Sequence, residues 1–230
     1  MKEYKKNISK ILIIILGFLF LTFNSASAQE TSVKAIVTWQ AQSYHPNGYL
    51  GKNLPTLGSP IIAAVELVDN KKPVNVSGLT IRWRQNQKLI QEGVGLKRIS
   101  FNAVGQIGDQ TLVRADIIYK GGVVHGSAQI PVARPKIVIN APYPGKIILG
   151  EISKFEILPY FFNIKTLGEL AFSWLVNDQS SVAPADNPQL LELTVNSEVD
   201  EAVINLNASA SNLNNLAESA NEEIKLAVKK

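Results

Sequence analysis

Apolar and polar positions alternate along most of the chain with a period of two, the spacing of a half-buried strand. Val33, Ala35, Val37 and Trp39 alternate with Lys34, Ile36, Thr38 and Gln40. Leu79-Thr80-Ile81-Arg82-Trp83 runs on to Asn86, and about 91 residues later Leu170-Ala171-Phe172-Ser173-Trp174 runs on to Asn177. Each copy is a strand that ends on a tryptophan and reaches a polar turn, so the chain repeats itself at domain length. Further strands are predicted over 61–68, 88–91, 97–103, 112–120 and 127–133, with Gly121-Gly122 as a tight turn and His125 at that turn's tip. The second half repeats the order over 136–140, 146–149, 154–162, 190–196, 201–208 and 222–228. Val113, Ala115 and Ile117 then correspond to Ile204, Leu206 and Ala208. Leu213, Leu216 and Ala220 have near-helical spacing and predict one helical turn.

These strands are short, bounded by turn residues, and unaccompanied by long helical patterns. That predicts an all-β chain of two tandem β-sandwiches behind an N-terminal signal helix. The boundary falls at Arg134-Pro135, giving one unit over 29–134 and a second over 135–230. The linker is short and lacks Gly/Ser-rich composition, so the units are expected to sit close. A tryptophan facing the opposite sheet buries on the order of 200 Å². Trp39, Trp83 and Trp174 are therefore the expected core, the last two as equivalent anchors.

The Leu-x-Ile/Phe-x-Trp-x-x-Asn strand, Val113 to Tyr119 and Ala202 to Ala208 resemble tandem immunoglobulin-like domains of the polycystic-kidney-disease or bacterial Ig-like type. No cysteine pair flanks either tryptophan. The resemblance implies an extracytoplasmic scaffold, spacer or interaction module, and it implies no catalytic residue.

The first 28 residues read as a processing segment. Lys2, Lys5, Lys6 and Lys10 precede an apolar run from Ile11 to Phe23, and Ala26-Ser27-Ala28 supplies small residues for a cut before Gln29. Left uncleaved, the same run would be a membrane anchor. The chain has 23 basic and 19 acidic residues. Without the leader 19 and 18 remain, a formal charge of about +1, so the basic character belongs largely to the leader. A clustered basic face for nucleic acid is not expected. Arg82, Arg84, Lys88, Lys97 and Arg98 read as solvent-facing strand residues.

The sequence lacks the spacings of catalysis and metal binding. It has no cysteine and two histidines, His45 and His125, neither in a metal-ligand spacing. It has no Gly-x-Ser-x-Gly elbow and no phosphate-cradling glycine loop. Asp69, Asp109, Asp116, Asp178 and Asp186 are scattered and form no calcium loop. The expectation is a protein that is not an enzyme, with no catalytic residue, no metal and no cofactor.

Two aromatic clusters remain as candidates. Tyr44, His45 and Tyr49 lie on a Pro-braced loop over 43–60 and could present a ligand or sugar platform, or fold over the end of their own sandwich. Tyr143, Tyr160, Phe161 and Phe162 follow the boundary and could pack the domain junction or offer a patch to a partner. Pro159 within its apolar run predicts a strand edge or bulge.

The functional expectation is a non-catalytic exported structural or adhesive interaction protein of the bacterial cell envelope, secreted or periplasmic. Its partner would be a protein or a polysaccharide of the envelope. The alternatives are a periplasmic assembly chaperone with two Ig-like domains, which would need a basic residue such as Arg134 in the interdomain cleft, and a carbohydrate-binding accessory protein using the 43–60 loop.

Overall fold

The structure is a computed structural model that describes residues 33–196 and 202–229. The leader, the cut before Gln29 and the predicted start of a strand at Glu201 lie outside the described residues. Eight strands precede Arg134: β1 (Val33–Ala41), β2 (Pro60–Asp69), β3 (Lys72–Val74), β4 (Thr80–Gln85), β5 (Lys88–Val94), β6 (Arg98–Asn102), β7 (Gln110–Tyr119) and β8 (Gly122–Pro131). Eight follow it: β9 (Lys136–Asn140), β10 (Lys146–Ile148), β11 (Ile152–Tyr160), β12 (Leu170–Val176), β13 (Gln179–Ser181), β14 (Leu190–Thr194), β15 (Val203–Asn212) and β16 (Asn215–Lys229). A 3-10 turn at Leu167–Glu169 leads into β12.

The chain forms all-β sandwiches. In the first half, β2 pairs with β1 along one edge and with β3 and β6 along the other, facing a sheet of order β5-β4-β7-β8. In the second, a sheet of order β14-β11-β9 faces one of order β10-β16-β15-β12-β13. Both repeat the crossover of immunoglobulin-like sandwiches, in which the third long strand leaves the first sheet to join the last two.

Each sandwich has its own buried cluster. Ile61, Leu67, Ile81, Trp83, Ile117 and Ile130 belong to the first, and Ile137, Phe155, Ile157, Phe162, Trp174 and Leu206 to the second. Trp83 stands opposite Ala115 on β7, and Trp174 stands opposite Ala208 on β15. A small residue beneath each indole leaves room for it against the facing sheet. The predicted match of Ala115 with Leu206 is therefore corrected by two residues. Ala115 follows Trp83 by 32 positions and Ala208 follows Trp174 by 34, so the second half carries two extra residues between these strands.

Trp39 is also corrected. It packs against the first cluster but is only half-buried, with the Lys52 ammonium 3.5 Å from its ring centroid. It lies on β1, whose ladder partner is β2.

Two-residue turns set the register of the hairpins. Asn70-Lys71, Asn86-Gln87, Lys120-Gly121 and Asn177-Asp178 all have positive φ at both positions, matching the twist of the flanking strands. Asn86 and Asn177 perform the same second task. The Leu112 N–H donates to Asn86 Oδ1 at 2.9 Å, and the Asn205 N–H donates to Asn177 Oδ1 at 2.9 Å. Each asparagine thus ties its turn to the next long strand. The predicted Gly121-Gly122 turn shifts by one, because Gly122 pairs with Tyr119. β8 consequently starts at Gly122 rather than 127, and His125 lies within the strand opposite Asp116, not at a turn tip.

The helical turn predicted from Leu213, Leu216 and Ala220 does not form. β15 and β16 continue their ladder to a tip at Leu213 and Asn214, with a register shift at Ser211/Asn212. Ala208, Ala210 and Asn212 are buried while the residues between them are half-buried, a period of two that overrides the leucine spacing.

The halves differ at one place that positions the site. After β9 the chain turns back at once, and β10 pairs in parallel with β16. The matching stretch after β1, residues 42–59, leaves its own sheets and reaches the second sandwich.

Candidate functional site

The base of the 42–59 loop is fastened to the first sandwich. The Ser43 hydroxyl lies 2.8 Å from Asn53 Oδ1 and 2.6 Å from the Leu54 carbonyl oxygen. The Asn53 amide donates to the carbonyls of Ala41 and Ser43. The Ala133 N–H donates to the Pro55 carbonyl at 2.7 Å, so the loop covers the end of β8.

The tip crosses over. The Tyr44 N–H donates to the Phe162 carbonyl at 2.7 Å, and the Phe161 N–H donates to the Tyr44 carbonyl at 2.7 Å. This two-bond clip joins the backbones of the two halves. Tyr44 packs against the second buried cluster. The Tyr49 ring has centroid distances of 5.4 Å to Tyr160, 6.0 Å to Phe161 and 5.6 Å to His45. The first two are edge-to-face contacts, the geometry aromatic quadrupoles favour. Gly51 lies directly against this ring, and a Cβ there would stand 2.3 Å from the Tyr49 hydroxyl oxygen. Leu50, beside it, is fully exposed.

The two aromatic clusters, separate along the sequence, are therefore largely one cluster in space. Tyr44, His45 and Tyr49 from the first half meet Tyr160 and Phe161 from the second. Phe162 points inward and is fully buried. Tyr143 stands apart on the turn after β9, with the Lys146 ammonium 5.4 Å from its ring centroid. Folding over its own sandwich holds only for the base of the loop.

The second half holds its share of the junction with buried polar groups. Phe161 has a φ of 64°, a conformation bulky residues rarely adopt. The Glu218 carboxylate, buried on β16, accepts from the Asn163 N–H at 2.7 Å and from the Asn212 amide. Glu169 accepts from the Lys165 and Thr166 N–H groups at 2.8 and 2.9 Å. Those bonds, Thr166 foremost, hold its carboxyl below the usual carboxylate range. The β15–β16 tip thus braces the 161–170 segment. The sequence hides this brace, because the leucine spacing beside Asn212 and Glu218 predicts a helical turn instead.

Beside the clip is a cleft of about 780 Å³. One wall is Pro46 to Gly51 of the loop. The other is the outer face of β9 and β11, with Asn140, Glu156 and Tyr160, and Gln189 closing one end. Burial raises the Tyr44 hydroxyl above the ordinary tyrosine range, and the Glu156 charge adds to it. Tyr44 therefore stays protonated as a hydrogen-bond donor at neutral pH. A second cleft of about 510 Å³ lies on the other side of Tyr44, lined by His45, Asn163, Lys165 and Glu169 among others. Arg134 is exposed and lines neither cleft.

One charged cluster joins Arg114 and Asp116, two positions apart on β7, to Arg84 and His125 on the flanking strands, and those cross-strand pairings are not visible along the sequence. Asp116 is buried on the outer face of β7, 3.1 Å from Arg84 Nε, 2.7 Å from Arg114 Nε and 2.8 Å from His125 Nδ1. Burial pushes its carboxyl up, but hydrogen bonds from Arg114, His125 and Arg84 outweigh this and hold it below the usual range. Arg82 on β4 pairs with Glu92 at 3.0 Å, and Lys97, which lies just before β6 rather than in a strand, pairs with Glu66 at 3.3 Å, so both cations are balanced. Among the described residues no group of three His, Cys, Asp or Glu side chains could hold a metal ion. None of the described helices is long and apolar enough to cross a membrane.

No family model matches the chain, and no curated protein matches it. Solved structures similar to it include the three N-terminal domains of the highly immunogenic outer capsid protein of bacteriophage RB49, at 12% identity and a TM-score of 0.42 over 85% of this chain. This chain spans 59% of that one. Fibronectin(III)-like modules of Clostridium thermocellum CbhA match at 13% identity and a TM-score of 0.30, over 84% of this chain and 94% of theirs. The mouse nectin-like molecule 4 ectodomain matches at 14% identity and a TM-score of 0.32, over 85% of this chain and 65% of its own.

Proposed function

We propose that this is a non-catalytic interaction protein, exported to the bacterial cell envelope, whose two Ig-like units act as one rigid body. The units are 29–134 and 135–230, with a leader of 28 residues removed. The observation that carries the proposal is the clip of Tyr44 onto Phe161 and Phe162, sealed by Tyr49. A flexible linker would let two sandwiches bind independently. A backbone clip with an aromatic wedge fixes their angle and keeps a cleft open beside it, which suits a spacer or adhesive component that presents one composite surface. The site offers aromatic faces, amides and one carboxylate, a set suited to binding. The chaperone alternative draws no support from Arg134, which stands outside the clefts.

Crosslinking in the native host, followed by identification of the captured partner, tests the proposal. Capture should fall in a Tyr49→Ala variant, in which the wedge is lost while both sandwich cores keep their residues. Equal capture by both proteins, or detectable turnover of a captured ligand, would overturn it. Mass spectrometry of the protein from its host should give an N-terminus at Gln29. An intact leader would refute the export step.

A further inference from the structure

We infer that the junction cleft takes a cationic side chain, a lysine or arginine, presented by an extended segment of a partner protein. This rests on the interaction role proposed above and specifies its chemistry. The cleft's lining holds a single ionisable acid, Glu156, and no Lys, Arg or His. Glu156 lies on β11 between Phe155 and Ile157, both fully buried, so the strand's alternation turns its carboxylate outward into the cleft. It is half-buried, and among the described residues it has no ion-pair partner. The cation best placed to neutralise it is Lys154, two positions earlier on the same face. Lys154 is committed to Glu192 across the ladder, at 2.7 Å.

The surroundings complete a cation site. Tyr44 lines the same cleft, close enough for the Glu156 charge to act on its hydroxyl, and Asn140, directly opposite Glu156 on β9, adds an amide oxygen as acceptor. A lysine ammonium has three donors and no acceptor, so a carboxylate, an amide oxygen and a tyrosine ring satisfy it together. Leu50, fully exposed at the lip, and Leu158 on the wall offer apolar surface to the methylene stem. A neutral sugar would leave the Glu156 charge partly desolvated and unpaired. An acidic ligand would be repelled by it.

The test is a titration monitored by calorimetry and by tyrosine ring signals in NMR. The probes are the capped peptide Gly-Ala-Lys-Ala-Gly and the same peptide with its lysine Nζ acetylated. The lysine peptide should bind saturably, and acetylation should weaken it about tenfold or more, the value of one charge-assisted bond. Glu156→Gln should bring the lysine peptide to the level of the acetylated one. Lys88→Ala, on β5 of the first sandwich and outside the lining, should bind as the unaltered protein does. An unchanged thermal midpoint checks that each variant is folded. Equal binding of the two peptides, no saturation with either, or full binding by Glu156→Gln would overturn the assignment. If crosslinking in the host still captures a partner through the Tyr49 loop while neither peptide binds, the interaction role stands and the cationic assignment falls.

Discussion

The indole of Trp83 donates its Nε1–H to the carbonyl oxygen of Leu96 at 2.8 Å, from a side chain with no solvent exposure. Trp174 makes the matching bond to Pro188 at 3.3 Å. Each indole therefore packs the sheet contact and also holds the chain segment that crosses to the other sheet. Trp83→Ala should cost about 3–5 kcal/mol. Trp83→Phe keeps most of the apolar area but removes the donor to the half-buried Leu96 residue's carbonyl, at about 1 kcal/mol. Urea unfolding followed by the fluorescence of Trp39, which packs against the same cluster as Trp83, and by circular dichroism measures both. A Trp83→Phe protein as stable as the original would show that the bond to Leu96 contributes nothing.

Gly126 is predicted to be intolerant of any side chain. A Cβ at this position would lie 2.6 Å from the Ala35 carbonyl oxygen, where β1 crosses over β8. Backbone cannot step aside as a flexible side chain can, so the two strands would have to separate. Gly126→Ala should destabilise by about 1–3 kcal/mol through overpacking. A methyl group on Gly78 would meet nothing within 4 Å, and its φ is not positive, so Gly78→Ala should stay within about 0.5 kcal/mol. Thermal melts of the pair test the argument, since equal midpoints would contradict it.

Asp116 gives a pH prediction with a definite sign. Its carboxyl titrates lower in the folded protein than in the unfolded chain, where about 3.9 is ordinary. The folded state thus favours the ionised form. That contribution is complete above the unfolded value and is lost as pH falls through the lower folded one. Stability should therefore fall as the solution is acidified below about pH 4. Asp116→Asn should remove this part of the acid dependence. It should also weaken the protein at pH 7 by roughly 1–3 kcal/mol, because Arg84 and Arg114 lose their shared counter-charge. Urea midpoints of both proteins at pH 7 and pH 3 decide it, and parallel losses would remove Asp116 from the account.

Local patterns make the strands legible. Period-two alternation locates β1, β2, β4 and β12, and the Trp-x-x-Asn phrase marks two equivalent anchors because the asparagine's turn is set by its immediate neighbours, whereas its bond to Leu112 or Asn205 is not. What stays hidden depends on contacts distant in sequence. Nothing near Tyr44 says that its backbone bonds Phe162, and nothing near Glu156 says that a loop from the other half will stand over it. A one-residue shift of the Gly121-Gly122 turn is enough to misplace His125, since it changes every cross-strand neighbour. Leu213, Leu216 and Ala220 carry a helical spacing, but Asn212 and Glu218 buried beside them need the ladder, and the ladder prevails.

Phe161 supplies the most discriminating test of the junction. Its φ of 64° is strained for a residue with a Cβ, and its ring contributes edge contacts to Tyr49 and Tyr160. Alanine would remove the ring and retain the strain. Glycine would remove both, since it adopts positive φ at little cost. If the clip to Tyr44 imposes this backbone, Phe161→Gly should be more stable than Phe161→Ala by about 1 kcal/mol, the reverse of the order at an ordinary strand position. Chemical denaturation ranks the two, and X-ray scattering should show the original compact arrangement kept better by the glycine variant. An alanine variant at least as stable as the glycine one would mean that Phe161 relaxes out of this conformation once its ring is gone, and that the clip does not hold the two sandwiches together.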